Sequence, residues 1–249
     1  MSIVLVTGGS GTLGRHLVSI LGVRGHEVRV LSRRPGGGTH VGDLASGEGV
    51  AEAAAGAELV VHAASDRRMG RTDRRQTANL LDALPSCRHL VYVSIVGVDV
   101  IPYGYYRAKL ACEVLIGGSA TPATVLRATQ FHELLAMALR AAGRLPTAPL
   151  PLDFLFQSVA AAEVAGRVAD LLAGPPLGRA PDFGGPEVLN GWQLVAAWRA
   201  RLGSPRSVLN LRLPGRVYRA FADGLNTCPD HADGRQRWAE FVAAQEPGA

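Results

Sequence analysis

Lysine is almost absent from this 249-residue chain, which carries its positive charge as arginine. Of the 26 basic side chains only Lys109 is a lysine, and it lies in the stretch PYGYYRAKLACE, four residues after Tyr105. Lysine carries a compact ammonium ion, whereas arginine carries a broad, forked guanidinium. The one position that uses lysine is therefore a candidate for a site that needs the compact charge.

Cysteines and long apolar runs are also scarce. Cys87, Cys112 and Cys228 are an odd number and have no C-x-x-C spacing, which is typical of reduced thiols and excludes a disulfide framework. No apolar run approaches the roughly 18 residues that a membrane span needs, and the amino terminus lacks the basic segment of a signal peptide. We therefore expect a cytoplasmic protein with no membrane partner.

Several motifs of other function classes are missing. The chain has no G-x-S-x-G hydrolase elbow, and no H-E-x-x-H or acidic cluster that would predict a metal site. The net charge is +5 with a pI near 9.6, but most arginines are scattered without interleaved aromatic residues, so we expect no nucleic-acid partner. The dense cluster DRRMGRTDRR, residues 66–75, predicts a solvated loop and helix start, with a phosphate or acidic-substrate patch as the alternative.

The first half of the chain alternates apolar runs with helical patterns. This alternation predicts βαβ units and a parallel sheet, and the length suits one α/β unit. After about Pro146 the pattern changes to a Pro-rich, loop-like stretch followed by helices. We predict a single globular unit over residues 1–249, with a dinucleotide-binding core in 1–145 and mainly substrate-binding segments and helices in 146–249.

A glycine motif follows the first predicted strand. VTGGSGTLG places Gly8, Gly11 and Gly14 in T-G-x-x-G-x-x-G spacing between a strand and a helix. In such turns the first glycine allows the tight turn, the second lets the backbone approach a pyrophosphate, and the third allows close helix packing. The helix amino terminus adds N–H groups and partial positive charge. The motif therefore predicts dinucleotide binding.

The end of the second predicted strand indicates which dinucleotide. NAD sites usually offer a carboxylate to the ribose there, whereas NADP sites offer arginine to the 2′-phosphate. The chain reads Ser32, Arg33 and Arg34, with no acid before Asp43. This favours NADP(H), with Asp43 placed to bond the adenine amino group. The alternative is that both arginines are ordinary surface charge.

Three residues predict acid–base chemistry at the same sheet edge. Tyr105 and Lys109 stand four apart on a predicted helix and so share a face, and Ser94 ends the preceding strand. An ammonium ion near a phenol stabilises the phenolate, so we expect Lys109 to lower the pKa of Tyr105. Tyr105 would then pass a proton to a carbonyl oxygen that Ser94 orients.

These residues resemble the short-chain dehydrogenase/reductase superfamily. The glycine motif at 7–14, Ser94, and Tyr105 with Lys109 carry the resemblance, while TGGSGTLGRHLV, YVSIVGVD, YYRAKLACE and LRATQFHELL look like its atypical, NmrA-like NAD(P)-binding branch. The resemblance spans residues 2 to about 241. It implies an α/β fold with a Rossmann-type, doubly wound parallel sheet, a small C-terminal substrate-binding part, and Lys109 on the nicotinamide ribose.

The motifs and the resemblance together give a set of predicted cofactor-binding residues. They are Thr7, Gly8, Ser10, Gly11, Thr12, Leu13, Gly14, Ser32, Arg33, Arg34, Asp43, Leu44, His62, Ala63, Ala64, Lys109, Thr129 and Phe131. Gln130 and His132 are further candidates for cofactor or substrate contact, with a local structural hydrogen bond as the alternative for His132.

The expected activity is NADPH-dependent reduction of a carbonyl, quinone or enone on a small, apolar organic molecule. Two alternatives stay open: an NADP-binding redox sensor without turnover, and a cofactor-assisted isomerase, epimerase or dehydratase. The predicted substrate wall comprises residues 150–156 and the C-terminal helices. The oligomeric state is not indicated.

Overall fold

A computed structural model describes residues 1–36, 39–66, 68, 70–203, 205 and 207–246. The chain forms two compact units that interleave along the sequence. The first unit comprises residues 1–94, 103–127 and 164–181, and the second comprises 95–102, 128–163 and 182–249. Among the described residues, no helix is long and apolar enough to cross a membrane.

The described strands and helices follow the alternation that the sequence predicts. In chain order the strands are β1 (Ile3–Thr7), β2 (Glu27–Ser32), β3 (Thr39–Val41), β4 (Leu59–His62), β5 (His89–Ile95), β6 (Ala123–Ala128), β7 (Ala148–Leu150), β8 (Leu155–Phe156), β9 (Gly178–Arg179), β10 (Leu189–Asn190) and β11 (Val208–Asn210). The helices are α1 (Thr12–Val23), α2 (Val50–Ala54), α3 (Asp73–Asp82), α4 (Gly104–Gly117), α5 (His132–Ala142), α6 (Ala161–Ala173), α7 (Gly191–Leu202), α8 (Arg216–Ala222) and α9 (Trp238–Ala243). A short 3-10 helix covers Pro229–His231.

The first unit is built on a parallel sheet that confirms the predicted fold class. Within the described residues seven strands pair in the order β3-β2-β1-β4-β5-β6-β9. The strand order reverses between β1 and β4, which pair in parallel from Val4 with Leu59 to Thr7 with His62. Ligands of doubly wound sheets bind beyond the carboxyl ends of the strands at this reversal. The glycine motif and the residues after β4 both lie at that edge.

Apolar side chains of the central strands and of α1 hold the first unit together. Val4, Leu5 and Val6 of β1 are fully buried, as expected for a parallel strand that is covered on both faces. In α1, Leu13, Leu17 and Leu21 are buried at four-residue spacing, so one stripe of the helix faces the sheet. Burying one such side chain stabilises the fold by roughly 1.5–3 kcal/mol.

The second unit has its own core, which is centred on two tryptophans. Trp198 of α7 and Trp238 of α9 are each 1% exposed and stack with ring centroids 5.9 Å apart. Helix α7 begins after a capping box between Asn190 and Gln193, and Gly203, in the left-handed region, caps its carboxyl end. These caps satisfy backbone groups that a helix end otherwise leaves unpaired.

The Pro-rich stretch after residue 146 is more ordered than the loop that the sequence predicts. It contains β7, which pairs in parallel with β11, and β8, which pairs antiparallel with β10. Both partners lie more than thirty residues further along the chain. The loop prediction rested on the local proline content, which gives no information about pairing with a distant segment. It was therefore wrong for these strands.

Candidate active site

The glycine turn after β1 has the backbone geometry that the motif predicts. Gly8 lies in the left-handed region at φ +75°, and a methyl group added there would approach the Ala63 backbone to 2.8 Å. A methyl group on Gly14 would overlap the Gly8 carbonyl oxygen and lie 2.6 Å from Gly9 Cα. Both positions therefore require glycine, one for the turn and one for the approach of α1.

The beginning of α1 leaves room for an anionic group. Among the described residues beyond its chain neighbours, a methyl group on Gly11 would have only the Gly8 carbonyl oxygen within 4 Å, at 3.2 Å. The helix has no side-chain cap and no acidic residue in its first turn. Ser10 and Gly11 are exposed, while the Leu13 side chain is buried in the core. This open, uncapped helix start fits a dinucleotide pyrophosphate, with Ser10, Gly11 and Thr12 around it.

The end of β2 carries exposed positive charge. Arg33 and Arg34 are exposed, and the Arg34 N–H donates to Ser32 Oγ over 3.1 Å. The Asp43 carboxylate accepts a hydrogen bond from the Ala45 N–H at 2.8 Å. Leu44 is 8% exposed and belongs to the core of the first unit. Both guanidiniums are thus exposed just after β2, whereas the buried Leu44 can offer a cofactor only its backbone.

His62 is a structural residue at the end of β4. Its Nδ1 lies 2.7 Å from Thr7 Oγ1 and its Nε2 lies 3.1 Å from Thr77 Oγ1. Burial, followed by the positive charge of Lys109, lowers the pKa of His62 to about 3. The neutral ring thus fixes β4 against β1 and α3. Only the backbone around the half-buried Ala63 and Ala64 is available to approach a ligand.

Lys109 on α4 is buried and not solvated. Its side chain is 5% exposed, and Nζ lies 4.0 Å from Asp73 Oδ2 and 5.0 Å from the centroid of the Tyr92 ring. Burial lowers the pKa of Lys109, and the negative charge of Asp73 is the largest opposing effect. An ammonium ion in this position depends on its carboxylate and aromatic neighbours.

Tyr105 does not have the environment that the sequence predicts. Its hydroxyl lies 3.1 Å from Ser65 Oγ. Burial raises the pKa of Tyr105, the Ser65 hydrogen bond offsets only part of this, and the Asp73 charge raises the pKa further. The expectation that Lys109 lowers this pKa was therefore wrong, because a carboxylate and an apolar environment act on the phenol instead.

Asp73 is the functional candidate that the sequence reading missed. The carboxylate is 2% exposed and accepts hydrogen bonds from Ser65 Oγ at 2.7 Å and from the Asp66 N–H at 2.6 Å. In the sequence it stands inside the arginine-rich cluster of residues 66–75, where an acid in the first turn of a helix is ordinary. Arg68, Arg71, Arg74 and Arg75 are exposed as predicted, and Arg67 and Met69 lie outside the described residues.

Ser94 supplies a buried hydroxyl near the carboxyl end of β5. It is 3% exposed, and its Oγ has no hydrogen-bond partner in the described part of the chain. Leaving a buried polar group unpaired costs about 1–3 kcal/mol. A ligand oxygen beyond the strand end would satisfy this group, which is the role that the sequence predicts.

The candidates after β6 lie in the second unit. The Thr129 hydroxyl donates to the Gln157 carbonyl oxygen, and the Gln130 amide donates to Asn226. The His132 ring contacts Ser158 Oγ at 2.9 Å and the Gln236 carbonyl oxygen at 3.0 Å. Both His132 nitrogens thus have local partners, which favours its structural interpretation. Cofactor contact by Thr129 and Phe131 stays a prediction.

Comparisons with known proteins agree with this geometry. Residues 8–175 match a family model described as NAD(P)H-binding. The chain is 48% identical over 69 residues to a 3-beta-hydroxysteroid dehydrogenase of Mycolicibacterium neoaurum, a match covering 25% of the chain and 19% of that protein. It is 33% identical over 159 residues to a 2-alkyl-3-oxoalkanoate reductase of Stenotrophomonas maltophilia, covering 49% of the chain and 48% of that protein. The matches thus span about a fifth and about half of these relatives.

Solved structures share the fold over nearly the whole chain. An NADPH-dependent quinone oxidoreductase of Escherichia coli, complexed with NADPH, superposes with a TM-score of 0.80 at 18% identity, covering 96% of this chain and 98% of that chain. A nucleoside-diphosphate-sugar epimerase of Staphylococcus aureus gives a TM-score of 0.79 at 17% identity, covering 98% and 100%. At these identities the likeness establishes the fold alone.

Proposed function

The chain belongs to the NAD(P)H-binding family, and we propose that it is an NADPH-dependent reductase of a carbonyl, quinone or enone on a small, apolar molecule. One observation carries the proposal: the buried Lys109, the half-buried Tyr105 and the unpaired Ser94 hydroxyl all belong to the first unit. They stand on or just after β5, whose carboxyl end lies at the same sheet edge as the glycine turn.

The cofactor part of the proposal rests on residues around β1 and β2. The uncapped start of α1 and the open space at Gly11 would hold the pyrophosphate, and Arg33 and Arg34 would hold the 2′-phosphate of NADPH. When bound, the cofactor supplies a hydride. Lys109 would bind its nicotinamide ribose, as the family resemblance implies.

The proton part of the proposal rests on Tyr105. A raised pKa keeps the phenol protonated at neutral pH, so Tyr105 is suited to donate a proton to the oxygen of a reduced carbonyl. It is poorly suited to act as a base in the reverse direction. The Ser94 hydroxyl would donate a hydrogen bond to the same oxygen and hold it in place.

The names of the relatives support the proposed substrate class. The two curated relatives are named for a hydroxysteroid and an oxoalkanoate, and one structural neighbour is named for a quinone. Each name describes an organic molecule with an oxygen function that can be oxidised or reduced. For this chain we therefore propose a ketone or quinone oxygen on a hydrocarbon framework.

Substrate-dependent loss of NADPH absorbance tests the proposal. We expect turnover with at least one member of a panel of quinones, long-chain 3-oxoalkanoates and steroid ketones, and a preference for NADPH over NADH. Tyr105→Phe should reduce kcat by about a hundredfold or more and leave the NADPH Kd nearly unchanged. Tyr106→Phe, which keeps the hydroxyl at 105, is the matched control. Unchanged turnover in Tyr105→Phe would reject Tyr105 as the acid.

A second candidate is cofactor-assisted chemistry of the kind for which the sugar epimerase that shares this fold is named. An epimerase, isomerase or dehydratase would use the cofactor without net consumption, and a redox sensor would bind it without chemistry. Purified protein that retains cofactor, converts nucleotide sugars and never consumes NADPH would favour the epimerase. Tight NADPH binding with no turnover of any substrate would favour the sensor.

A further inference from the structure

We propose that Ser65 and Asp73 are positioning residues that form a side-chain proton route from Lys109 to Tyr105. This inference rests on the proposed function, because it describes how the acid Tyr105 regains its proton. The four side chains belong to the first unit and join the loop after β4, the start of α3 and the first two turns of α4.

The direction of the hydrogen bonds follows from the number of protons. Ser65 has one hydroxyl proton, and it donates that proton to Asp73 Oδ2 at 2.7 Å. While Tyr105 is protonated, the Ser65 oxygen therefore acts as an acceptor toward it, and the Tyr105 hydroxyl is the donor across their 3.1 Å contact. Asp73 thus fixes the orientation of both hydroxyl groups.

The same carboxylate oxygen faces the ammonium ion. Lys109 Nζ lies 4.0 Å from Asp73 Oδ2, so a movement of about 1 Å brings the two atoms to hydrogen-bond distance. The other carboxylate oxygen is held by the Asp66 N–H at 2.6 Å. Asp73 Oδ2 therefore lies between the Ser65 hydroxyl and the Lys109 ammonium ion.

The proton that Tyr105 loses to the substrate is replaced along this route. Tyr105 gives its hydroxyl proton to the substrate oxygen and becomes a phenolate. Lys109 gives a proton to Asp73 Oδ2, and the Ser65 hydroxyl, which no longer faces a carboxylate acceptor there, turns its proton to the phenolate. The phenolate takes the Ser65 proton and Ser65 takes the proton held on Asp73 Oδ2, so the ammonium becomes an amine and Asp73 ends unchanged. A solvent proton then restores the ammonium. Burial favours this net transfer, because two opposite charges become two neutral groups.

The neighbouring charges agree with this direction. Burial lowers the pKa of Lys109 and raises that of Tyr105. In the protein the ammonium is therefore a stronger acid than a lysine in water, and the phenol is a weaker acid than a tyrosine in water. Among the neighbouring titratable groups, Asp73 of α3 and Cys112 of α4 raise the pKa of Tyr105 by charge repulsion of the phenolate. Tyr105 in the same way raises the pKa of Tyr92 of β5.

Two variants with opposite effects on the phenol test the route. In the free protein, Asp73→Asn should lower the pKa of Tyr105, because a negative charge is lost and Ser65 becomes free to donate to the phenolate. Ser65→Ala should raise this pKa, because it removes the hydroxyl that can turn to the phenolate and donate a charge-assisted hydrogen bond, which is stronger than the bond that the neutral phenol donates to Ser65. The phenolate ultraviolet absorbance, taken as the difference from Tyr105→Phe, measures both shifts without turnover.

Both variants should nevertheless lower kcat by roughly tenfold to a hundredfold, with the NADPH Kd changed less than about threefold. Ser65→Thr keeps the hydroxyl and should restore kcat, and Asp82→Asn, at an exposed acid on α3, should behave as the unmodified protein. Ser65 is exposed, so Ser65→Ala remains informative even where loss of the buried Asp73 carboxylate prevents folding.

The outcomes separate this inference from the proposed function. If Tyr105→Phe loses turnover while Ser65→Ala and Asp73→Asn keep full kcat, the route is wrong and the reductase proposal stands. The same conclusion follows if the two variants shift the pKa of Tyr105 in one direction. If Tyr105→Phe retains full turnover, the proposed function fails first.

Discussion

Whether a glycine of this chain can be replaced by alanine depends on the atoms that the added methyl group would meet. Gly14 and Gly22 both lie in α1. An added methyl group would overlap the Gly8 carbonyl oxygen at the first position, whereas at the second it would meet no described residue within 4 Å outside its own turn of helix. The difference lies in what each face of the helix approaches. One face packs onto the glycine turn and the other faces open space.

This contrast gives a prediction at the residue scale. Gly14→Ala should lower the free energy of unfolding by about 1–3 kcal/mol and weaken NADPH binding at least tenfold, because α1 must move away from the turn. Gly22→Ala should stabilise the helix by about 0.5–1 kcal/mol with unchanged binding. Urea unfolding and fluorescence titration with NADPH measure both effects. Equal behaviour of the two variants would contradict the packing argument.

Some features of the candidate site could be predicted from the sequence and others could not. The glycine spacing predicted Gly8 and Gly14 correctly, because strand, turn and helix are local and the motif states their geometry. The importance of Lys109 followed from its rarity. Its pairing with Asp73 did not, because 36 positions separate the two residues in the sequence. The lowered pKa expected for Tyr105 assumed that Lys109 acts on the phenol, whereas in the fold burial and the Asp73 carboxylate raise this pKa.

At the scale of elements, a buried ion pair joins α4 to β6. Arg127 and Glu113 form hydrogen bonds through both guanidinium Nε and Nη2, at 2.7–3.2 Å, with side chains 6% and 10% exposed. Arg24 of the α1 carboxyl end and Asp170 of α6 also pair, at 2.6 Å, but their side chains are 34% and 59% exposed. The two pairs differ mainly in how much water surrounds them.

We expect the two ion pairs to contribute very different free energies. Glu113→Gln should lower the free energy of unfolding by about 3 kcal/mol, because it leaves a buried guanidinium without its charge partner. Asp170→Asn should cost less than about 1 kcal/mol, because solvent screens the exposed pair. Denaturant unfolding at two salt concentrations measures both. A loss below 1 kcal/mol in Glu113→Gln would show that solvent reaches the α4–β6 pair.

Elements were predicted well where their pattern is local. Helix α1 and strands β1 and β4 follow from apolar periodicity, and the helices predicted after the Pro-rich stretch include α6, at Ala161–Ala173. Strands β7 and β8, in the stretch predicted as a loop, are only two or three residues long and depend on partners far along the chain. Their pairing is a tertiary effect that outweighs the local signal of proline.

Across the whole molecule, buried neutral histidines couple folding to pH. Burial lowers the pKa of His62 to about 3, and it also lowers the pKa of His89 and His132. The unfolded chain binds protons at these histidines near pH 6.5 and the folded chain does not. Stability is therefore fully present above about pH 6.5 and decreases as the pH falls toward the folded pKa values.

The resulting prediction concerns acid unfolding. The free energy of unfolding should fall by several kcal/mol between about pH 6.5 and pH 4. His62→Asn, which cannot titrate in this range, should be less stable at pH 7 but show a shallower decrease. Urea unfolding followed by circular dichroism at a series of pH values measures the slope. If the free energy of unfolding depends equally on pH in the unmodified protein and in His62→Asn, His62 does not contribute to the acid destabilisation.

The interleaving of the two compact units has a consequence for synthesis on the ribosome. The chain changes unit after residues 94, 102, 127, 163 and 181, so no nascent fragment that ends at residue 145 contains a complete unit. The first unit is complete only after β9 has been synthesised, and the core of the second unit is complete only after Trp238 and Val242 have been synthesised. Release of a prematurely terminated chain would thus expose the unfinished surfaces of both units to quality-control proteases.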